Sequence, residues 1–431
     1  MTYKVGILGL GTVGTGVAKI LQDPTGRHSL LPEIKIARVG VRSLNKQRDV
    51  AIAPDLITDN LESIVDDPTI DIVVELIGGI EPARSLILKA IANGKHIVTA
   101  NKAVIARHGS EIFTVAKQKG VYVMLEAAAC GGIPVIQALK QSLGGNRISE
   151  LTGIVNGTTN YILSRMYFEG ADFEATLAEA QQLGYAEADP TADVDGFDAA
   201  DKMAILASLA FGDRIKVEDI YREGIRSITS ADIGYAKELG FTIKLLGIAK
   251  RPKTDADSNL EIRVHPTLIP IQHPLANING VTNAVRIEGD PIGEVVFSGP
   301  GAGSGATASA VVADIINVAA ALKSMPNQIN SLMGCSHEHY AKVAPIANTV
   351  AKFYVRLLTQ DKPGVIGDLG TAFGKHSVSL NAILQKTTVH DGLAEIVVVT
   401  QKVSEFNLQA AIATIRDLPT MHSIPTILRV L

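Results

Sequence analysis

Six carboxylates and a single lysine occupy the stretch GYAEADPTADVDGFDAADK, from Gly184 to Lys202. The acids are Glu187, Asp189, Asp193, Asp195, Asp198 and Asp201, and the apolar run MAILASLAF follows directly. A calcium loop would use Asp193 and Asp195 ahead of Gly196, but Lys202 then falls where a bidentate glutamate is required, and a cation there excludes it. A solvated acidic face is the ordinary meaning of a charge run. Against that, Asp198 and Lys202 stand four apart on the helix that the apolar run predicts, so they can pair where that helix becomes buried. The helix start disfavours an ammonium, and the carboxylates favour it. A lysine so balanced can give a proton to an oxygen on which negative charge develops, which is general-acid catalysis. The remaining carboxylates then suit a cationic group on a substrate, such as an α-ammonium.

A second lysine has a different setting. The run HIVTA (96–100) is followed by Asn101 and Lys102. Open α/β sheets bind ligands beyond the carboxyl ends of their strands, which aims Lys102 at the edge where a glycine turn also lies. A lysine after a strand is equally often just solvated. The glycine turn is Gly9-Leu10-Gly11-Thr12-Val13-Gly14, between the apolar run YKVGIL and a helical pattern at Val17, Ile20 and Leu21. GxGxxG alone is a weak signal, but between a strand and a helix it is a dinucleotide fingerprint. Gly9 permits the tight turn, Gly11 the approach of a pyrophosphate, and Gly14 close helix–strand packing. The free N–H groups of the helix start then face the phosphates. A related fold that has lost its ligand is the alternative. In NAD sites an acid closes the second strand and holds the ribose 2′-hydroxyl. Here that strand ends Val39-Gly40-Val41-Arg42-Ser43, with Lys46 and Arg48 nearby. A guanidinium suits a 2′-phosphate, so Arg42 points to NADP, with NAD and a merely solvated Arg42 left open.

The elements that must position these residues can be read in chain order. Apolar runs at 3–8, 34–41, 71–77, 96–100 and 121–125 alternate with helical patterns such as 82–94 and 109–120. This predicts an α/β domain over residues 1–130 with a Rossmann-type parallel, doubly wound sheet. Over 131–299, helices from Pro134 to Phe241 precede strand-like runs at 242–250, 260–266, 283–289 and 293–299, an α+β pattern. A glycine-rich segment (299–310) leads into an apolar helix (311–322), and 326–350 reads as a polar linker. Residues 351–431 read strand, helix, strand, the turn VHDG (389–392), strand, helix, strand. That βαββαβ order is ferredoxin-like.

Composition excludes several classes. The chain has 431 residues, too many for one core, which predicts roughly two or three domains. With 46% hydrophobic and 19% charged residues it is neither disordered nor a coiled coil. A formal charge of −4 gives no bulk attraction to nucleic acid or an anionic membrane. The two cysteines, Cys130 and Cys335, form no disulfide framework and no CxxC motif. The opening MTYKVGILGLGTVG leaves no room for a signal peptide, and no apolar run reaches the length of a membrane span. The expected location is the cytoplasm.

GLGTVG (9–14), ANK (100–102), LEAAACGGIPVI (125–136), GIVNGTTNYIL (153–163), LGYAEADPTADVDGFDAADK (183–202) and GPGAGSGATASAVVADI (299–315) together resemble homoserine dehydrogenase, along essentially the whole chain. That family interconverts L-aspartate 4-semialdehyde and L-homoserine with NAD(P), a step toward threonine, methionine and isoleucine. The resemblance implies that Lys202 is the acid/base residue at the reacting oxygen, with Lys102 near both substrate and nicotinamide. It implies that Glu187, Asp193 and Asp198 bind the amino acid or position the lysines. It sets Thr12, Val13, Asn101, Gly184 and Gly303 beside the cofactor, so that 300–325 complete the nucleotide-binding domain and 131–299 become the substrate-binding and dimerisation domain. A monovalent cation, usually sodium, is implied on Glu126 and the carbonyls of Ala129, Gly131 and Ile133, oxygen donors that suit a hard cation. Cys130 departs from the family's small Gly or Ala and reads as a small packed hydrophobe.

The tail resembles an ACT domain, with Asp361-x-Pro363-Gly364-Val365 at its first strand–helix turn. This implies an amino-acid effector, in this family usually L-threonine, and a homodimer or homotetramer. A tail that only dimerises is the alternative, since sheet edges pair without ligand. Two other functions stay open. Aspartate-semialdehyde dehydrogenase would need an activated cysteine. A non-catalytic sensor would join a redox-reading nucleotide domain to an amino-acid-binding tail.

Overall fold

The computed structural model describes residues 2–252, 259–325, 328–335, 337, 339–385 and 393–431. The chain divides into two compact units, Met1–Leu151 with Asp201–Asp219 and Asn283–Ala341, and Thr152–Ala200 with Ile220–Thr282 and Lys342–Leu431.

The first unit holds a six-stranded parallel sheet. Its strands are β1 (Tyr3–Leu8), β2 (Ile34–Gly40), β3 (Ile57–Thr58), β4 (Ile72–Glu75), β5 (His96–Thr99) and β6 (Val123–Met124), in the order β3-β2-β1-β4-β5-β6. Each neighbouring pair is parallel. The strand order reverses between β1 and β4, the switch point at which doubly wound sheets bind ligands. The strands are apolar on both faces because helices cover both. Helix Ser304–Ser324 belongs to this unit, packing Ala308, Val311 and Ile315 into the core shared by Val17, Ala18 and Leu21. This helix is long and apolar enough to cross a membrane, by length and composition alone. About half of its residues, the fully buried Asp314 among them, are buried, which fits a core helix.

His96 adds a pH-sensitive element. Its ring lies 5.3 Å from that of Tyr122, and its Nδ1 accepts the Tyr122 N–H at 3.0 Å. Burial lowers its pKa from 6.5 to about 4, with Asp71 opposing. The unfolded chain therefore binds the proton more readily, and the stability supported by neutral His96 is complete above about pH 6.5 and lost as the pH falls toward 4. His96→Gln, which keeps an acceptor, should flatten this part of the stability curve. Urea midpoints at pH 5 and pH 7.5 check it, and a difference as large as in the wild type would clear His96.

In the second unit, strands Phe241–Lys250 and Glu261–Pro270 pair antiparallel. Met421–Val430 runs beside Glu261–Pro270. Val350–Gln360, Leu393–Thr400 and Leu380–Gln385 follow in that order to the sheet's end. With helices Val365–Lys375 and Glu405–Arg416 this last part is the expected βαββαβ unit. The turn read at VHDG lies outside the described residues. Along Val350–Gln360 the side chains alternate, as a strand requires. Phe353, Val355 and Leu357 join the core with the two helices, while Tyr354 and Arg356 reach Asp232 at 3.3 and 2.8 Å. Asp232 also closes the capping box at Thr229, ahead of helix Ser230–Glu238. Arg429 is buried as well, holding Glu405 at 2.8 Å and Glu223 at 3.1 Å.

The two-residue strands Ile57–Thr58, Tyr221–Arg222 and Val403–Ser404 were not foreseen, nor was one long strand. Arg147–Ile154 lies in a region whose composition predicts helices. Its first half is only partly buried, so the strand pattern is diluted exactly where it begins to matter to the fold.

Candidate active site

The three glycines of the first turn differ in their surroundings. Gly9 has φ 106°, and a Cβ on it would lie 2.8 Å from the Leu76 carbonyl oxygen. A Cβ on Gly14 would lie 2.1 Å from the Gly9 carbonyl oxygen. Gly11, the N-cap of helix Thr12–Gln22, has nothing within 4 Å of where a Cβ would be. Unlike Gly9 and Gly14, Gly11 therefore meets no steric demand for glycine from the described residues. Thr12 and Val13 open the helix, whose first turn carries no acid. The second glycine segment meets this turn. Gly303, φ 109°, caps helix Ser304–Ser324, and the Ser304 hydroxyl donates to the Thr12 carbonyl at 2.7 Å.

Beyond β4 and β5 a buried carboxylate organises the edge. Glu75 accepts the Thr99 hydroxyl at 2.7 Å and the Ile77 N–H at 2.8 Å. Thr99 in turn accepts the Asn101 N–H at 3.0 Å. Asn101 caps helix Lys102–Lys119 by accepting the Val104 N–H, and its amide donates to the Gly79 carbonyl at 2.7 Å. Lys102 is therefore the first residue of a helix, half-buried, at the same edge as the glycine turn. The only sequence signal for Glu75 was an acid ending an otherwise apolar strand.

The second strand ends at Gly40, and Arg42 stands exposed two residues beyond it. The loop is held from within by Arg48, whose guanidinium donates to the carbonyls of Lys46 at 2.7 Å and of Ser43.

Helix Phe197–Phe211 buries Ala199, Ala200, Met203, Leu206 and Ala207, as its apolar run predicts. Asp201 is buried and pairs with Arg107 at 2.9 Å. Lys202 is half-buried on the next position, in the same unit as Lys102.

Gly184, Glu187, Asp193 and Asp198 belong to the second unit. Gly184 has φ 74° and follows helix Phe173–Gln182; Glu187 is exposed. Asp193 lies on the short helix Thr191–Val194, and Asp198 is buried in the first turn of Phe197–Phe211. Asn156, which the sequence did not single out, donates to Asp193 at 2.7 Å and to Asp198 at 2.9 Å. Asp195 pairs instead with Arg226 at 2.7 Å. The segment Tyr221–Arg226 lies against this loop: the Ile225 N–H donates to the Val194 carbonyl at 2.8 Å, and a Cβ on Gly224 would lie 2.3 Å from the same oxygen.

Glu126 is buried and accepts the N–H groups of Ile136 at 2.9 Å and Gln137 at 2.7 Å. Burial raises its pKa to about 7, with Asp314 adding to the effect; Asp314 is likewise raised to about 7 by burial. The chain turns at Cys130 (φ 59°) and Gly131 (φ 54°), and Gly131 has no room for a Cβ against the Gly301 carbonyl. Two buried carboxylates and a run of main-chain carbonyls at Ala129, Gly131 and Ile133 offer oxygen alone, a donor set that fits a hard monovalent cation. Cys130 is fully buried, and burial pushes the Cys335 thiol up in pKa. The Lys140 ammonium donates to the Cys335 sulfur at 3.8 Å and opposes that shift, but burial outweighs it, which disfavours a nucleophilic thiolate at Cys335.

In the βαββαβ unit, the turn Asp361–Gly364 borders a hollow of about 380 Å³, lined also by Thr359, Gln385 and Ile396.

Comparison with known proteins agrees along the whole chain. The family model described as Homoserine dehydrogenase matches residues 134–316, that of Homoserine dehydrogenase, NAD binding domain, matches 9–126, and that of the ACT domain matches 353–420. The homoserine dehydrogenase of Synechocystis sp. is 59% identical, with 100% of each chain covered. The solved homoserine dehydrogenase from Thiobacillus denitrificans has TM-score 0.93 and 44% identity, covering 100% of this chain and 98% of that one. A hyperthermophilic archaeal homoserine dehydrogenase, solved in complex with NADPH, has TM-score 0.62 and 27% identity over 76% of this chain and 100% of that one.

Proposed function

This chain belongs to the homoserine dehydrogenase family, and from that premise we propose that it interconverts L-aspartate 4-semialdehyde and L-homoserine with NADPH, in the cytoplasm, on the route to threonine, methionine and isoleucine. The observation that carries the reading is one helix, Phe197–Phe211, that presents Asp198 and Lys202 four residues apart at its buried start. The bound nicotinamide supplies the hydride. As the carbonyl carbon gains it, the carbonyl π pair becomes a lone pair on oxygen, and Lys202 gives that oxygen a proton from Nζ. Lys102, at the same sheet edge as the glycine turn, adds positive charge near the developing oxyanion. Glu187, Asp193 and Asp198 hold the substrate's ammonium or position Lys202. Gly9, Gly11, Thr12, Val13 and Gly14 cradle the pyrophosphate, and Asn101, Gly184 and Gly303 complete the cofactor's surroundings. Glu126 with the carbonyls of Ala129, Gly131 and Ile133 would hold a sodium ion with a structural role.

The packing of helix Ser304–Ser324 against Thr12–Gln22 supports assigning 1–130 with 300–325 to cofactor binding and 131–299 to substrate binding and dimerisation. Residues 326–350 then link to an ACT domain over 351–431. The hollow at Asp361–Gly364 supports an amino-acid effector there, L-threonine by family habit, in a homodimer or homotetramer.

Steady-state oxidation of homoserine with NADP and NAD, with and without threonine, tests the whole reading. Turnover with NADP, reduced by threonine, is expected. Ligand binding without turnover would replace this function with a sensor. Arg42 gives a sharper test of the cofactor. Arg42→Asp should move the NADP-to-NAD ratio of kcat/KM toward NAD by roughly ten- to hundredfold, the worth of one charge-assisted hydrogen bond. An unchanged ratio would show that Arg42 does not read the 2′-phosphate.

A further inference from the structure

Asn156 stands immediately before helix Gly157–Glu169 and is 4% exposed. Its side-chain oxygen does the work of a helix cap, accepting the Thr159 N–H at 2.8 Å and the Thr159 hydroxyl at 2.9 Å. A cap needs only that oxygen, and serine, threonine or aspartate would serve as well. The amide nitrogen is left over, and both of its hydrogens are spent on carboxylates from two different elements, Asp193 at 2.7 Å and Asp198 at 2.9 Å. Of the good capping residues, only asparagine supplies donors of this kind. The same helix start fixes the rest of the acidic loop, because the Thr158 hydroxyl donates to the Tyr185 carbonyl at 2.6 Å, two residues before Glu187. The helix is itself clamped. Asn160 donates to the carbonyls of Ile278 and Thr282, and the buried Lys244 Nζ donates to its Oδ1 at 3.0 Å.

We propose that Asn156 is a positioning residue of the catalytic site. Its amide holds Asp193 and Asp198 at one fixed separation and so sets the geometry in which they receive the substrate's ammonium. This rests on the reading of those two aspartates given above.

The test separates the cap from the bridge. Asn156→Ser and Asn156→Asp both keep a capping oxygen, and both remove the two donors. Asn156→Ser should fold with Tm within a few degrees of the wild type, Asn156→Asp should lose more because it sets a third carboxylate beside Asp193 and the buried Asp198, and both should keep the KM for NADP within about twofold. The KM for homoserine should rise roughly ten- to hundredfold, as expected when a carboxylate loses a hydrogen bond at a binding site, with a smaller change in kcat. Asp193→Asn should raise the same KM, and the double variant Asn156→Ser/Asp193→Asn should be non-additive, since one residue acts through the other. A homoserine KM unchanged in both Asn156 variants, or additive effects in the double variant, overturns the positioning role while leaving the aspartates' role intact. Failure of both variants to fold assigns Asn156 to structure alone. No effect of Asp193→Asn sinks the reading of the aspartates, and the proposal with it.

Discussion

Lys202→Ala is expected to lower kcat by roughly a thousandfold while NADPH binds within a few-fold of the wild type. The size follows from what a positioned general acid contributes, about a hundred- to ten-thousandfold. Without the ammonium the reacting oxygen must take its proton from water while charge accumulates on it. The proposed cofactor cradle should be unaffected, because the glycine turn and Gly303 lie on other elements of the first unit. The fold should also survive. Lys202 is half-buried, and the packing of its helix comes from Ala199, Met203 and Leu206. Single-turnover rates with saturating NADPH, alongside a fluorescence titration of NADPH, measure the two quantities separately. Near-normal turnover would remove Lys202 from the chemistry.

Gly14→Ala should be nearly as damaging, by a different route. The new methyl would lie 2.1 Å from the Gly9 carbonyl oxygen, a clash with main chain rather than with a side chain that could swing away. Gly9 cannot yield easily. Its N–H donates to Gly40 at 2.9 Å, and a Cβ on it would already crowd Leu76 at 2.8 Å. The turn must open, at a strain of about 1–3 kcal/mol, and the helix start moves off the phosphates. We expect a fall in Tm of several degrees and NADPH affinity weakened by roughly a hundredfold. Gly11→Ala is the control. With nothing within 4 Å, it should leave Tm unchanged and weaken NADPH alone. Equal losses of Tm in the two variants would mean that Gly11 is also a packing glycine.

What was legible in the sequence was whatever is local. The glycine turn, the alternation of the parallel sheet and the βαββαβ tail are each written in spacing over a few residues, and each is present. The acidic run at Glu187–Lys202 was likewise visible, and its helix begins at Phe197 as the apolar residues require. What escaped is whatever depends on partners far along the chain. Asn156 meets Asp198 across 42 positions, Asp314 meets the Glu126 N–H across 188, and Ser304 meets Thr12 across 292. An asparagine before a helix reads as a cap, and an aspartate inside an apolar helix reads as a misfit. Only the folded chain brings them their partners. The strand Arg147–Ile154 was missed because its first half is exposed or only partly buried, which blurs the alternation that marks a strand.

The two buried arginines of the C-terminal module limit how freely it could be exchanged. Arg356 carries Asp232 and Glu395 together, and Arg429 carries Glu223 and Glu405. In each case one acid lies inside the module and the other outside it. A foreign module spliced onto this chain would leave Asp232, fully buried, without its guanidinium, and an unpaired buried charge of that kind costs about 3–5 kcal/mol. Recombination that keeps the protein folded must therefore carry Glu223 and Asp232 along with the module, or change all of these residues together. The heritable unit is larger than the βαββαβ fold, and its true boundary runs through the segment Tyr221–Arg226 that also bears on the acidic loop.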